Sequence, residues 1–193
     1  CGEVGGFTRL LTLPGGQKED GLSSQMRTIV VPQLKRGSEG DLGFVVLNRP
    51  HSVVEGLDRL DIPEEYVLIA ETDHILLKPL PNLVGANEAL AYPFHYMAPA
   101  RTPKTAAIVA RYAGAHAAAV QQVGPSPAIV HVGALRRVAR DWLETSFALK
   151  RDPEADAEFG CHASLETPRH VPVAKMIQPF GTLIGPRHSG GCS

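Results

Sequence analysis

Two hydrophobic periods alternate along the chain. The runs TIVVPQL (28–34) and FVVLN (44–48) are rich in β-branched residues and bounded by Gly, Ser and Pro, so each predicts a strand, with KRGSEGDLG between them as a loop. In HSVVEGLDRL, Val53, Val54 and Leu57 fall at i, i+1 and i+4 and give a short helical stripe that Gly56 weakens. Tyr66 to Ala70 is apolar throughout and predicts a third strand, buried on both faces as in a parallel sheet. Strand, helix, strand is the unit of a doubly wound α/β fold.

Further on, ALAYPFHYM (89–97) predicts another strand, which Pro93 pushes toward an edge or a bulge. Thr102-Pro103 has the form of a helix start, a hydroxyl N-cap before a proline at the first helical position, and Ala-rich composition extends that helix to Gln122. A Gly-Pro-Ser-Pro turn leads to the strand AIVHV (128–132). Leu135, Val138, Ala139, Trp142 and Leu143 then mark one face of a helix, with Arg136, Arg137, Arg140, Asp141 and Glu144 on a solvated face. Asp152-Pro153 opens a short acidic helix to Gly160, and beyond it only KMIQPF (175–180) has strand or docking character. Residues 1–183 read as one domain and 184–193 as a disordered tail.

Composition narrows the class. The 193 residues suit a single domain with a real core, and 19 basic against 20 acidic side chains give a formal charge of −1, which argues against a nucleic-acid or anionic-membrane footprint. Aromatic residues make up 6% while Gly (19) and Pro (16) are plentiful, as in a turn-rich α/β domain. The apolar stretch AAIVARYAGAHAAAV is broken by Arg111 and His116 and falls short of the ~20 residues that span a bilayer. The chain starts at Cys1 with neither an initiator Met nor a signal-like segment, which reads as a fragment or a trimmed product. Cys1, Cys161 and Cys192 form no C-x-x-C pair; they read as unpaired thiols, with one disulfide plus a free thiol as the other arrangement.

The chemistry concentrates in YVLIAETDHILLKPLP (66–81), where a buried strand runs into Glu71, Asp73 and His74. In an extended chain Glu71 and Asp73 project together, with Thr72 and His74 opposite. Adjacent carboxylates repel unless a cation sits between them. Two readings fit: a polar turn closed by an Asx-type bond, or a site for Mn2+ or Mg2+ carrying a diphosphate at the carboxyl end of a strand.

Seven blocks extend this picture: GGFTRLL (5–11), VVLNRP (45–50), EEYVLIAETDHILLKPLPNL (64–83), YPFHYM (92–97), GPSPAIV (124–130), RDPEADAEFG (151–160) and KMIQPF. In content and order they resemble the hydroxyproline O-arabinosyltransferases of plants and green algae. The resemblance implies a GT-A-like, doubly wound, mostly parallel sheet flanked by helices. It also implies a Golgi-lumenal enzyme held by an N-terminal anchor, moving L-arabinofuranose from UDP-L-arabinofuranose to hydroxyproline in secreted, hydroxyproline-rich proteins or peptides, with retention of anomeric configuration. Glu71 and Asp73 match the place of the family's D-x-D-like motif, so the resemblance assigns them the cation and the diphosphate, Asp73 as the first ligand. His170 matches a histidine that completes such a metal site, and His74 is expected to support it by hydrogen bonding. Thr8 and Arg9, in GGFTRLL, and Asn48 and Arg49, in LNRP, are candidate contacts to the nucleotide, the diphosphate or the donor sugar. Pro50 reads as a strand stop.

Three departures from the family pattern stand out. His51-Ser52 replaces an aromatic residue, Pro125 stands where an Asn precedes Ser-Pro, and CHASLETP (161–168) is shorter than a segment that carries Trp and an acidic pair. Glu166 does not align with that acidic residue, and no residue is marked as a catalytic nucleophile. Two rival functions follow, a peptidyl-serine galactosyltransferase and a non-catalytic glycosyltransferase-like binding protein; generic metal hydrolysis would need a second His/Asp cluster.

Overall fold

The β-branched run at Thr28–Pro32 (β2) finds its partner in Arg9–Leu13 (β1), and the two lie parallel with Arg9 opposite Thr28 and Leu13 opposite Pro32. The computed structural model describes residues 6–34, 44–75, 82–85, 88–93 and 99–159; Cys1, Cys161, Glu166, His170, KMIQPF, Cys192 and the tail lie outside them. Helix α1 (Asn48–Arg59) follows, then β3 (Tyr66–Ile69), β4 (Ala89–Pro93), α2 (Pro103–Ala113), β5 (Val123–His131), α3 (Val132–Arg151) and α4 (Pro153–Phe159). The strands β3, β5 and β4 form a second sheet in that order, antiparallel throughout.

The fold is therefore α/β, but the expectation of a mostly parallel, doubly wound sheet is corrected to a parallel pair plus an antiparallel three-stranded sheet. Helix α1 does follow β2, yet β3 leaves that sheet and pairs with β5, Tyr66 opposite His131 and Ile69 opposite Ala128. Antiparallel sheets bury one face, and β3 follows that rule: Val67 and Ile69 pack on the core while Leu68 is 41% exposed. The predicted double-sided burial of this strand is thus also corrected.

The core lies between this sheet and two helices. Val53, Val54 and Leu57 of α1 meet Leu135, Val138, Ala139 and Trp142 of α3 over Ala128 and Val130 of β5. Each buried Val or Leu contributes about 1.5–3 kcal/mol relative to exposure. Two arginines of the face expected to be solvated instead bind α1. Arg136 donates to the carbonyls of Leu57 (2.7 Å) and Leu60 (3.3 Å) at the end of that helix, and Arg140 pairs with Asp58 at 2.7 Å.

FVVLN does not form a strand. Val45–Leu47 is a 3-10 turn, and Asn48, Arg49 and Pro50 open α1 rather than closing a strand. Phe44 and Leu47, one such turn apart, are buried, while Val45 is 69% exposed; this three-residue spacing outweighs the β preference of the two valines. Pro50 sits in the first turn of α1, where its missing N–H costs no helical bond.

The predicted N-cap at Thr102 is present, its hydroxyl accepting from Thr105 N–H at 3.1 Å, but α2 stops at Ala113 because Gly114 takes a φ of 55°. A 3-10 segment, Gly114–Ala119, replaces the rest of the expected helix. The predicted Gly-Pro-Ser-Pro turn is part of β5, with a cis Ser126-Pro127 bond. As expected, Pro93 marks a register irregularity at the edge strand β4. No helix among the described residues is long and apolar enough to cross a membrane.

Two measurements check this packing. A Cβ on Gly56 would lie 3.0 and 3.1 Å from the Leu10 methyl carbons, so α1 approaches β1 closely there. Gly56→Ala should be near neutral, since ~1 kcal/mol of helix propensity offsets the crowding, whereas Gly56→Leu should lose about 1–3 kcal/mol in urea unfolding. An unchanged urea midpoint for Gly56→Leu would contradict the contact.

Asp152 supplies the second. Burial opposes its charge, but hydrogen bonds from Ala155 N–H, the Tyr112 hydroxyl and Glu154 N–H, with Arg111 alongside, hold its carboxyl below the ordinary 3.8. A depressed carboxyl stabilises the fold above its unfolded value and loses that contribution as pH falls through the folded one. Asp152→Asn should therefore unfold at lower urea than the parent at neutral pH, and the gap should close as the pH drops below 3.8. A gap that is constant with pH would contradict the assignment.

Candidate functional site

Strand β3 ends at Ile69, and the chain turns at once instead of staying extended. His74 N–H donates to the Glu71 carbonyl at 3.1 Å, and Glu71 N–H donates back to His74 Nδ1 at 3.2 Å. The turn changes the predicted geometry. His74 is not opposite the carboxylates: one ring nitrogen and one oxygen each from Glu71 and Asp73 lie within 4.8 Å of one another. Glu71 and His74 are half-buried and Asp73 is exposed.

Helix α1 brings a fourth group. Arg49 Nη2 lies 2.6 Å from Glu71 Oε1, so two candidates far apart in sequence meet as an ion pair. Asn48 positions this arginine rather than facing outward with it. Its carbonyl oxygen accepts Leu34 N–H at 2.9 Å, and its amide donates to the Val45 carbonyl at 3.0 Å, tying the segment after β2 to the start of α1. With one guanidinium against two carboxylates, the cluster keeps a net negative charge, and Asp73 makes no ion pair among the described residues.

Of the two candidates at the first strand, Arg9 is engaged elsewhere. Arg9 holds Asp20 through both terminal nitrogens, at 2.6 and 3.0 Å, and its Nε donates to Thr28 Oγ1 at 3.3 Å. The hydrogen bond from Arg9 pulls the Asp20 carboxyl below its ordinary value, and the same bond raises the guanidinium. Thr8 is half-buried one residue before β1. His170, the other predicted metal ligand, lies outside the described residues.

The carboxylate pair suits a hard cation. Octahedral bonds of ~2.1 Å place opposite ligands ~4.2 Å apart, so oxygens within 4.8 Å need only a small side-chain adjustment to share one ion. Periodicity missed the place of His74, yet the spacing could have revealed it, because a tight turn joins residues i and i+3. The Ser126 hydroxyl, buried beside the strand exit and directed at the Ile69 carbonyl at 3.5 Å, carried no such signal. It depends on the β3–β5 register.

Residues 1–164 match the sequence profile of the hydroxyproline O-arabinosyltransferase family N-terminal domain. The chain is 40% identical over 161 residues to hydroxyproline O-arabinosyltransferase RDN2 of Medicago truncatula, covering 82% of this chain and 42% of that one. It is 39% identical over 158 residues to hydroxyproline O-arabinosyltransferase 1 of Arabidopsis thaliana, with 82% and 42% coverage. With hydroxyproline O-arabinosyltransferase NOD3 of Pisum sativum it shares 41% identity over 157 residues, with 81% and 46% coverage. The chain thus spans less than half the length of these curated relatives. No solved structure matches it. A profile match over 1–164, joined to these identities, establishes that the chain belongs to the hydroxyproline O-arabinosyltransferase family.

Proposed function

We propose that this chain carries the donor side of a GT-A type glycosyltransferase that moves L-arabinofuranose from UDP-L-arabinofuranose to hydroxyproline in secreted, hydroxyproline-rich proteins or peptides, and we place the reaction in the Golgi lumen. The observation that carries this reading is the turn at the exit of β3, where Glu71, Asp73 and His74 converge beside Arg49 in a chain of this family.

Asp73, exposed and without an ion pair among the described residues, would be the principal ligand of Mn2+ or Mg2+, and Glu71 the second. When bound, such a cation would neutralise charge on the departing diphosphate. The chain's own contribution is to fix the carboxylates before binding. Strand β3 delivers them from a packed sheet, the Glu71–His74 turn converges them, and Arg49 sets the orientation of Glu71. Arg49 also offers further guanidinium donors to a phosphate oxygen. Thr8 would contact the nucleotide, and Arg9 would reach the diphosphate on release from Asp20. Asn48 acts by placing Arg49.

Calorimetric titration of UDP with Mn2+, and again with EDTA, tests the reading. Metal-dependent binding should be seen and should be abolished in Asp73→Ala; equal affinity in that variant would overturn the site. Arg49 generates a separate expectation. A guanidinium competes with a bare cation for Glu71, and a unit charge ~4 Å away is worth about 1 kcal/mol in water. Arg49→Met should therefore bind Mn2+ alone roughly fivefold more tightly by electron paramagnetic resonance titration, while its affinity for UDP in the presence of Mn2+ falls. Weaker binding of Mn2+ alone would show that Arg49 does not compete for Glu71.

A further inference from the structure

A hydrogen bond inside the turn decides what His74 can do. Glu71 N–H donates to His74 Nδ1 at 3.2 Å, so Nδ1 is the ring's acceptor and carries no proton. In the neutral ring the proton then resides on Nε2, which is a donor and has no lone pair to give a cation. Reversing the tautomer would set Nδ1–H against Glu71 N–H, two donors facing each other with no acceptor between them.

Proximity alone suggests a different role, because a His74 nitrogen lies within 4.8 Å of the Glu71 and Asp73 oxygens, as a third ligand would. Hydrogen-bond chemistry decides against it, since Nδ1 is occupied and the neutral ring then carries its proton on Nε2. The surrounding charges agree with a donor. Arg49 holds Glu71 at 2.6 Å, so a cationic donor already stands beside the carboxylates that His74 accompanies. A diphosphate, with several acceptor oxygens, can take donors from Arg49 and from His74 Nε2 at once.

We propose that His74 donates through Nε2–H to a diphosphate oxygen of the bound nucleotide and is not a ligand of the cation; this rests on the diphosphate-site reading above. The ring is held in place by the backbone of the residue whose carboxylate it accompanies, so the donor and the Glu71 backbone are tied together.

The test uses the whole chain and has two independent readouts. Long-range proton–nitrogen correlation on the His74 imidazole should show Nε2 protonated and Nδ1 bare; an Nδ1–H ring overturns the proposal even where UDP binds. In the second, His74→Ala should leave the affinity for Mn2+ alone within about twofold while affinity for UDP with Mn2+ falls roughly tenfold, the weight of one hydrogen bond to a charged group. His74→Asn, whose carbonyl can accept Glu71 N–H and whose amide can donate, should recover part of the UDP affinity and serves as the control for loss of the turn. A tenfold loss of Mn2+ affinity in both variants would identify His74 as a ligand and overturn the proposal. If the unsubstituted chain shows the Nε2–H ring and binds Mn2+ but no UDP, the diphosphate reading fails and the donor role falls with it.

Discussion

The antiparallel pairing of β3 with β5 is the constraint on which the site depends. Strand β5 lies between β3 and β4, with Ala128 and Val130 buried under α1 and α3, so it is paired on both edges and packed on one face. Ile69 opposite Ala128 is the last pair of the β3 ladder. That register sets where the strand gives out and hence where the turn bearing Glu71, Asp73 and His74 begins. A slip of one residue would turn Val67 and Ile69 out of the core and Leu68 into it, so the core fixes the site's position through side-chain alternation.

Electrostatics then determines the form of the turn. Two carboxylates two residues apart would repel, and the structure answers in two ways. Arg49 reaches across from α1 to Glu71, and the backbone of Glu71 is closed onto His74, which leaves Asp73 exposed and without an ion pair among the described residues. Neither partner is local in the sense of a strand. Arg49 belongs to a helix whose start is fastened by Asn48 to Leu34, so the segment after β2 also helps to hold Arg49 in place.

Much of this organisation is legible in the sequence where one local rule dominates. Thr102-Pro103 specifies a cap, the stripe from Leu135 to Leu143 specifies α3, and Glu71-x-Asp73 draws attention because carboxylates following an apolar run need a compensating partner. The failures occur where tertiary contacts decide. FVVLN has β-branched residues but buries Phe44 and Leu47 at a 3-10 spacing; YVLIA looks suited to a parallel sheet, yet its neighbour is the antiparallel β5. Likewise Arg9 and Arg49 look alike as candidate phosphate contacts, and only the fold shows that one is committed to Asp20 while the other stands at the carboxylate turn.

That difference bears on how a small sheet can support chemistry. The Arg9–Asp20 pair joins β1 to the segment just ahead of β2 and stands apart from the cluster at β3. The Arg49–Glu71 pair joins the two halves of the described fold, because α1 packs on β1 through Gly56, touches β2 through His51 and Pro32, and packs on α3 through Val53, Val54 and Leu57. An ion pair with both side chains part-exposed contributes little to stability, about 0–1 kcal/mol. Its value at this place is directional: it aims one carboxylate of the turn while the other has no ion-pair partner among the described residues, an asymmetry that neither the β3 strand nor the turn would produce by itself.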